Sequence, residues 1–343
     1  MHLSFLSYLA ELSRSPALTL VTVLTLAVVL VNGWTDAPNA IAGAVVTGAL
    51  SFRCAVLLAA LCNFLGVLCV TSVNASVAET VYSIASFHGG PRAALTALCA
   101  AMCAIVLWAA GAWFFGIPTS EGHALVAGIS GAAVALEGSF SCIHFEQWGK
   151  VLMGLVLSTL AGCFMGRQSQ RLLTKIHASP CFFQLLQLPG AAGAAFLHGA
   201  QDGQKFLGVF LLGAALAQGR ADEQTFVIPL WLMVLCAAGM ALGTLMGGRR
   251  IIDKVGRDMV SIGPREGAAA DLASSLCLLC ATLLGLPVST THTKTAALLG
   301  VGLVGGKTVD RSVVRHIVLA WILTLPGCMA LGYWCAKLFL TFL

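Results

Sequence analysis

Charge is what this 343-residue chain has least of: Asp, Glu, Lys and Arg together make up only 10% of it, against about 25% in an ordinary soluble domain. With 58% apolar residues and a mean hydropathy of +0.92, that scarcity excludes a soluble enzyme. Disorder is excluded on the same grounds, because it needs low hydrophobicity and high net charge. There is no basic face for nucleic acid, since 19 Lys and Arg stand against 14 Asp and Glu for a net charge of +5. The period-2 alternation of a membrane β-barrel is missing too. So is a small-x-small cleavage site after the first apolar run, which Glu11 precedes and which leads straight into a polar motif; a cleaved signal peptide is not expected.

The 13 cysteines lack the setting for a disulfide scaffold, because nearly all, such as Cys62, Cys99 and Cys236, lie inside apolar runs. Cys277-Leu-Leu-Cys280 has metal-knuckle spacing, but no second pair or nearby His completes a site. It reads as packing.

What the chain does have is apolar stretches near the roughly 20 residues that cross a bilayer. They are expected at 17–34, 54–73, 93–115, 151–166, 226–247, 267–285 and 313–342, with less regular apolar pieces between. The fold class is therefore an all-α polytopic membrane protein.

Two polar motifs interrupt this background, once in each half. Asn32-Gly33-Trp34-Thr35-Asp36-Ala37-Pro38-Asn39 is answered by His198-Gly199-Ala200-Gln201-Asp202-Gly203-Gln204-Lys205, with Asp202 lying 166 residues after Asp36. Gly116-Ile117-Pro118-Thr119-Ser120-Glu121-Gly122-His123 is answered by Gly285-Leu286-Pro287-Val288-Ser289-Thr290-Thr291-His292, with 169 residues between the histidines. Two unrelated motifs in one order at nearly one offset point to an internal duplication, with repeats at 1–177 and 178–343. Duplicated halves whose interrupted helices meet near the midplane are a secondary-transporter architecture. Pro118 and Pro287 disfavour helix before them, so 119–136 and 288–304 are expected as half-helices or re-entrant hairpins. The 35 residues 16–50 would run about 52 Å as a helix, as two passes (inverted halves) or one broken, tilted helix (parallel halves). Basic loops at Arg167–Lys175 and Arg249–Arg265 favour the cytoplasm, and share a side only under the one-pass reading.

Intramembrane carboxylates are costly and usually functional. Asp36 and Asp202 stand at equivalent points and offer hard oxygen ligands; Asn39 and Gln204 add amide oxygens, as Na⁺ sites at unwound helices require. Asp36, Asn39 and Asp202 are the candidate Na⁺ ligands, although Lys205 is also an obvious structural partner for Asp202. Thr119, Ser120, Ser289, Thr290 and Thr291 place hydroxyls where helices begin, and a helix N-terminus favours anions. No Arg occurs in either motif, which suits an anion that must also leave. Ordinary N-capping is the structural alternative. His123 and His292 close the two copies and are read as supporting residues, as is Lys205. Lys294 lies two residues past His292, so on a helix it faces away.

Together the four motifs resemble those of the inorganic phosphate transporter (PiT) family. Its first motif is Gly-x-Asn-Asp-x-x-Asn-Ala, and bacterial second halves often read His-Gly-Ala-Asn-Asp-x-Gln-Lys; its second motif is Pro-Val-Ser-Thr-Thr-His. Ser289 to His292 is an intact copy, Asp202 to Lys205 matches well, and Asp36 to Ala40 keeps the acidic and amide positions. The resemblance spans the whole chain in the correct order. It implies inverted halves, two hairpins holding phosphate, Na⁺ or H⁺ as the coupling ion with no cofactor, and a homodimer in the inner membrane of a bacterial cell. Three departures stand out. Thr35 and Gln201 replace the Asn before each Asp, and Glu121-Gly122 replaces Thr-Thr in the first hairpin. A carboxylate there would repel a dianion by several kcal/mol at low effective dielectric, unless Glu121 points elsewhere, binds the cation or carries a coupled proton.

Other readings are weaker. Gly128-Ile129-Ser130-Gly131 suggests an intramembrane serine hydrolase, but this motif is weak among 37 glycines and leaves the duplication unexplained. Val301 stands where a P-loop ending at Gly306-Lys307-Thr308 needs a glycine. Gly239-x3-Gly243-x3-Gly247 permits close helix packing in either a carrier or a structural subunit. Within transport, the rival substrate is another tetrahedral oxyanion such as sulfate.

Overall fold

The computed structural model describes residues 3–115, 117, 119–220, 227–253, 262–304 and 310–342. Gly116 and Pro118 of the first hairpin motif, residues 254–261 of the second basic loop and the Gly306-Lys307-Thr308 stretch lie outside the described residues. Among the described residues there is no strand, only an isolated antiparallel bridge between Ala85 and Ile143.

Helices of the first half are α1 (Phe5–Arg14), α2 (Pro16–Thr35), α3 (Pro38–Val46), α4 (Phe52–Thr71), α5 (Ser76–Tyr82), α6 (Pro91–Phe114), α7 (Glu121–Glu137) and α8 (Phe145–Thr174). The second half adds α9 (Pro180–Ala217), α10 (Leu230–Met246), α11 (Arg249–Asp253), α12 (Pro264–Leu283), α13 (Thr290–Gly302) and α14 (Arg311–Phe342). Among the described residues, seven stretches are long and apolar enough to cross a membrane, with α2 and α3 counting as one. Starts follow local chemistry: α2, α6, α9 and α12 each carry Pro in the first turn, where its missing N–H costs nothing.

Of the two readings left open for residues 16–50, the broken helix is the one found over 16–46: Asp36 and Ala37 keep right-handed helical dihedrals between α2 and α3. One expectation is corrected. The second copy of the first motif breaks nothing. His198 to Lys205 lie inside the continuous 38-residue α9, a span absent from the expected set because its polar motif dilutes the apolar run. Proline explains the difference, since Pro38 withholds an N–H just after Asp36 while no proline follows Asp202 within the helix.

Helix packing follows the repeat offsets. α4 lies on α9 as α10 lies on α2, and α7 on α14 as α13 on α8; α2 meets α6 as α9 meets α12. Each half thus contributes helices to the other's surroundings. In lipid there is no hydrophobic drive between helices, so close approach relies on small residues. Gly33 and Gly243 provide it between α2 and α10, where an added Cβ would run into backbone. Large apolar side chains, such as Leu57 and Leu61 of α4, Leu160 and Phe164 of α8 and Ile322 of α14, face outward. The polar motifs are buried at the centre.

Candidate functional site

The hairpin helices α7 and α13 begin alike. Ser120 accepts a hydrogen bond from the His123 N–H at 3.4 Å, and Ser289 accepts one from the His292 N–H at 3.2 Å. The capping reading is therefore correct for these two serines, yet each keeps its own hydroxyl hydrogen to donate elsewhere. The two tips meet. The His123 and His292 rings lie 5.1 Å apart, and His292 stacks on Trp321 at 3.9 Å.

Both aspartates sit at this junction, buried. Asn39 donates to Asp36 Oδ1 at 3.0 Å and to the Thr291 hydroxyl at 3.1 Å. The Thr291 hydroxyl in turn donates to Asp36. A residue of the second hairpin is thereby tied to the acidic motif of the first half. Across the junction, Asp202 accepts from Asn32 of α2 at 3.1 Å and from Lys205 Nζ at 2.7 Å. His198 Nε2 lies 3.4 Å from Asp202 Oδ2. Ligand atoms of Asp36, His198 and Asp202 all fall within 4.8 Å of one another, a spacing that suits one shared cation. A void of about 10 Å³, room for one water-sized species, is bordered by Asn39, His198, Thr290 and Lys294. Asn39 Oδ1, His198 Nε2 and Thr290 Oγ1 have no hydrogen-bond partner among the described residues.

Glu121 is 2% exposed, and Thr35 of α2 bonds its Oε1, so it faces inward to the same junction. Its Oε2 has no hydrogen-bond partner among the described residues. Of the residues expected at the site, Asp36, Asn39, Asp202, Glu121, Thr291 and Lys205 are joined by these contacts, with Ser120, Ser289, Thr290, His123 and His292 at the tips and Thr119 directly before Ser120. Gln204 is directed elsewhere: its amide donates to the Asn74 carbonyl at 2.8 Å, ahead of α5.

Sequence reasoning missed Asn32 and His198 as partners of Asp202, although both stand in the quoted motifs. It also missed the buried pair of Lys294 on α13 and Asp271 on α12; two lone charges in apolar runs were the available signal. Ser130 is no nucleophile in waiting: its hydroxyl accepts from the Trp148 indole at 2.9 Å. A cavity of about 1080 Å³ bordered by Glu79, Thr80, His144 and Lys150 reaches Gly285 and Leu286, just before the second tip.

The model of the phosphate transporter family matches residues 32–179 and 167–332 of this chain. A Bacillus subtilis (strain 168) protein described as a "probable low-affinity inorganic phosphate transporter" is 33% identical over 320 residues, 91% of this chain and 94% of that protein. A Mycobacterium leprae (strain TN) protein of the same description is 32% identical over 331 residues, 94% of this chain and 78% of its own length. A solved structure described as "the sodium-dependent phosphate transporter" shares the fold. Its TM-score is 0.86 at 20% identity, with 96% of this chain and 100% of that one covered. These similar proteins are transporters, not enzymes, and with the seven apolar spans they make the chain a multi-pass protein of the inner membrane.

Proposed function

The chain belongs to the phosphate transporter family, and from that premise we propose that it moves inorganic phosphate by alternating access, driven by Na⁺ or H⁺. The observation that carries this reading is Thr291. One hydroxyl at the tip of an anion-type helix N-terminus is bonded to Asp36 of the other half, so anion and cation sites share a residue and neither is filled without affecting the other.

Charge supports symport. The junction holds three carboxyl groups, Asp36, Glu121 and Asp202, and one ammonium, Lys205. A dianion entering such a site needs accompanying positive charge, because like charges repel strongly where water is scarce. Asp36, Asn39 Oδ1 and Asp202 would hold that cation. The free hydroxyl hydrogens of Ser120 and Ser289, with Thr119, Thr290 and Thr291, would bind the anion on the converging N-termini of α7 and α13. Thr35 has two acceptors for one hydrogen, Glu121 Oε1 and the Val31 carbonyl at 2.8 Å. When it donates to Val31, Glu121 must supply the proton of the other bond, which suits Glu121 as a proton carrier. Glu121 Oε2 is also an acceptor for a P–OH group, which sulfate lacks.

The repeats are taken as 1–177 and 178–343, inverted and assembled as a homodimer, on the family resemblance alone, since the single broken helix over 16–46 removes the two-pass argument for inversion; the exchanged helix packing supports the duplication. The cavity that borders Gly285 and Leu286 would supply access from one side. The test is radiolabelled phosphate uptake into proteoliposomes under separately imposed Na⁺ and H⁺ gradients, with excess sulfate as competitor. Concentrative uptake under one gradient, undiminished by sulfate, is expected. Uptake no faster than in protein-free liposomes sinks the assignment.

A further inference from the structure

Laid one on the other at their offsets, the two halves pair Asn39 with Lys205, Asn32 with His198 and Thr291 with Gly122. At Asp36 the partners are neutral, namely the Asn39 amide and the Thr291 hydroxyl. The equivalent hydroxyl on Asp202 would come from position 122, which is glycine. Lys205 fills that space. A Cβ on Gly122 would lie 2.6 Å from Lys205 Nζ and 2.9 Å from its Cδ, closer than real contacts allow. The ammonium there donates to Asp202 Oδ1 at 2.7 Å and to the Val288 carbonyl of the second hairpin at 2.6 Å. Amide with hydroxyl in one half is thus exchanged for ammonium with glycine in the other. A threonine at 122 would push the lysine from the place it takes here, the far end of a flexible side chain that has to give.

We propose that the Lys205 ammonium is a built-in substitute for a second co-transported cation. One oxygen of Asp202 is neutralised by a positive charge that cannot leave, so the two aspartates share a single travelling cation centred on Asp36 instead of holding one each. A lysine ammonium has the charge of Na⁺ and three donors. Two are used on Asp202 and Val288; the third has no partner among the described residues and is available to the anion. The backbone agrees with this division. Pro38 leaves the Trp34 carbonyl without its helical partner near Asp36, while the unbroken α9 around Asp202 spends its carbonyls on helix bonds, leaving few oxygen ligands for a metal ion.

This inference rests on the symport reading above. Its test is the paired variant Gly122→Thr/Lys205→Asn, which copies the Asp36 surroundings onto Asp202. In proteoliposomes the ratio of ²²Na⁺ to phosphate carried should rise by one relative to the parent, whichever ion drives the parent. In detergent, the variant should gain Na⁺-dependent thermal stabilisation, as a ligand that binds only the folded state produces. A folded variant with the parent's ratio and no added Na⁺ response overturns the inference. Should that variant fail to fold, the reciprocal pair Asn39→Lys/Thr291→Gly decides. It should abolish concentrative uptake in a protein that still melts cooperatively in detergent; accumulation at the parent's level overturns the inference. A parent that carries no phosphate defeats the symport reading instead, and the Na⁺ stabilisation measurement still decides the role of Lys205.

Discussion

Asp36 ends a helix that breaks, and Asp202 sits in the middle of one that does not, yet both carboxylates arrive at one buried junction. The first is held by an amide and a hydroxyl, the second by an ammonium and the Asn32 amide, with a histidine alongside. Equivalent positions in a duplicated chain therefore need not keep equivalent chemistry. A proline two residues along frees backbone on one side, and a lysine three residues along supplies charge on the other.

The sharpest way to break this comparison is to neutralise each aspartate in turn. Asp202→Asn strands the Lys205 ammonium, and breaking a buried ion pair costs about 3–5 kcal/mol, so this variant should lose uptake and also melt well below the parent. Asp36→Asn leaves no comparable charge uncovered and should lose concentrative uptake with a smaller shift in melting temperature. Equal melting shifts, or full accumulation by both variants, would end the distinction.

Glu121→Gln examines the next asymmetry, because position 290 of the second hairpin is a threonine. Uptake in this variant should lose its response to the driving gradient; an unchanged dependence on pH and Na⁺ would remove Glu121 from coupling. At the tips themselves, Thr290→Ala removes one donor to a charged ligand, worth about 1.5–3 kcal/mol, and should raise the phosphate concentration for half-maximal uptake roughly tenfold or more. The smallest effect is expected outside the junction. Ser130→Ala loses the Trp148 hydrogen bond at about 1 kcal/mol and should transport phosphate at the parent's rate. Loss of activity there would revive a reading in which that serine reacts.

Much of this was legible before folding. Apolar runs of membrane length, the duplicated motifs and the prolines ahead of 119 and 288 were enough to expect broken and re-entrant segments, and α7 and α13 begin within two residues of the expected starts. The span α9 was not legible, because His198, Gln201, Asp202, Gln204 and Lys205 lower its hydropathy while its buried setting still allows a continuous helix. Gln204 looked like a ligand from its place beside Asp202. On a helix adjacent residues point different ways, and it meets Asn74 instead.

Composition and spacing by themselves determined that the chain lies in a bilayer, that it is written twice, and that its few central charges are held in two acidic and two hydroxyl-rich motifs. These are local properties: a run of apolar residues or a proline acts through its immediate neighbours. Only the tertiary structure decided that Thr291 belongs to Asp36, that Lys205 takes the room left by Gly122, and that Lys294 is paired with Asp271. Such partners are separated by 23 to 255 residues, and what joins them is helix packing, between the two halves for Thr291 and Lys205 and within the second half for Lys294.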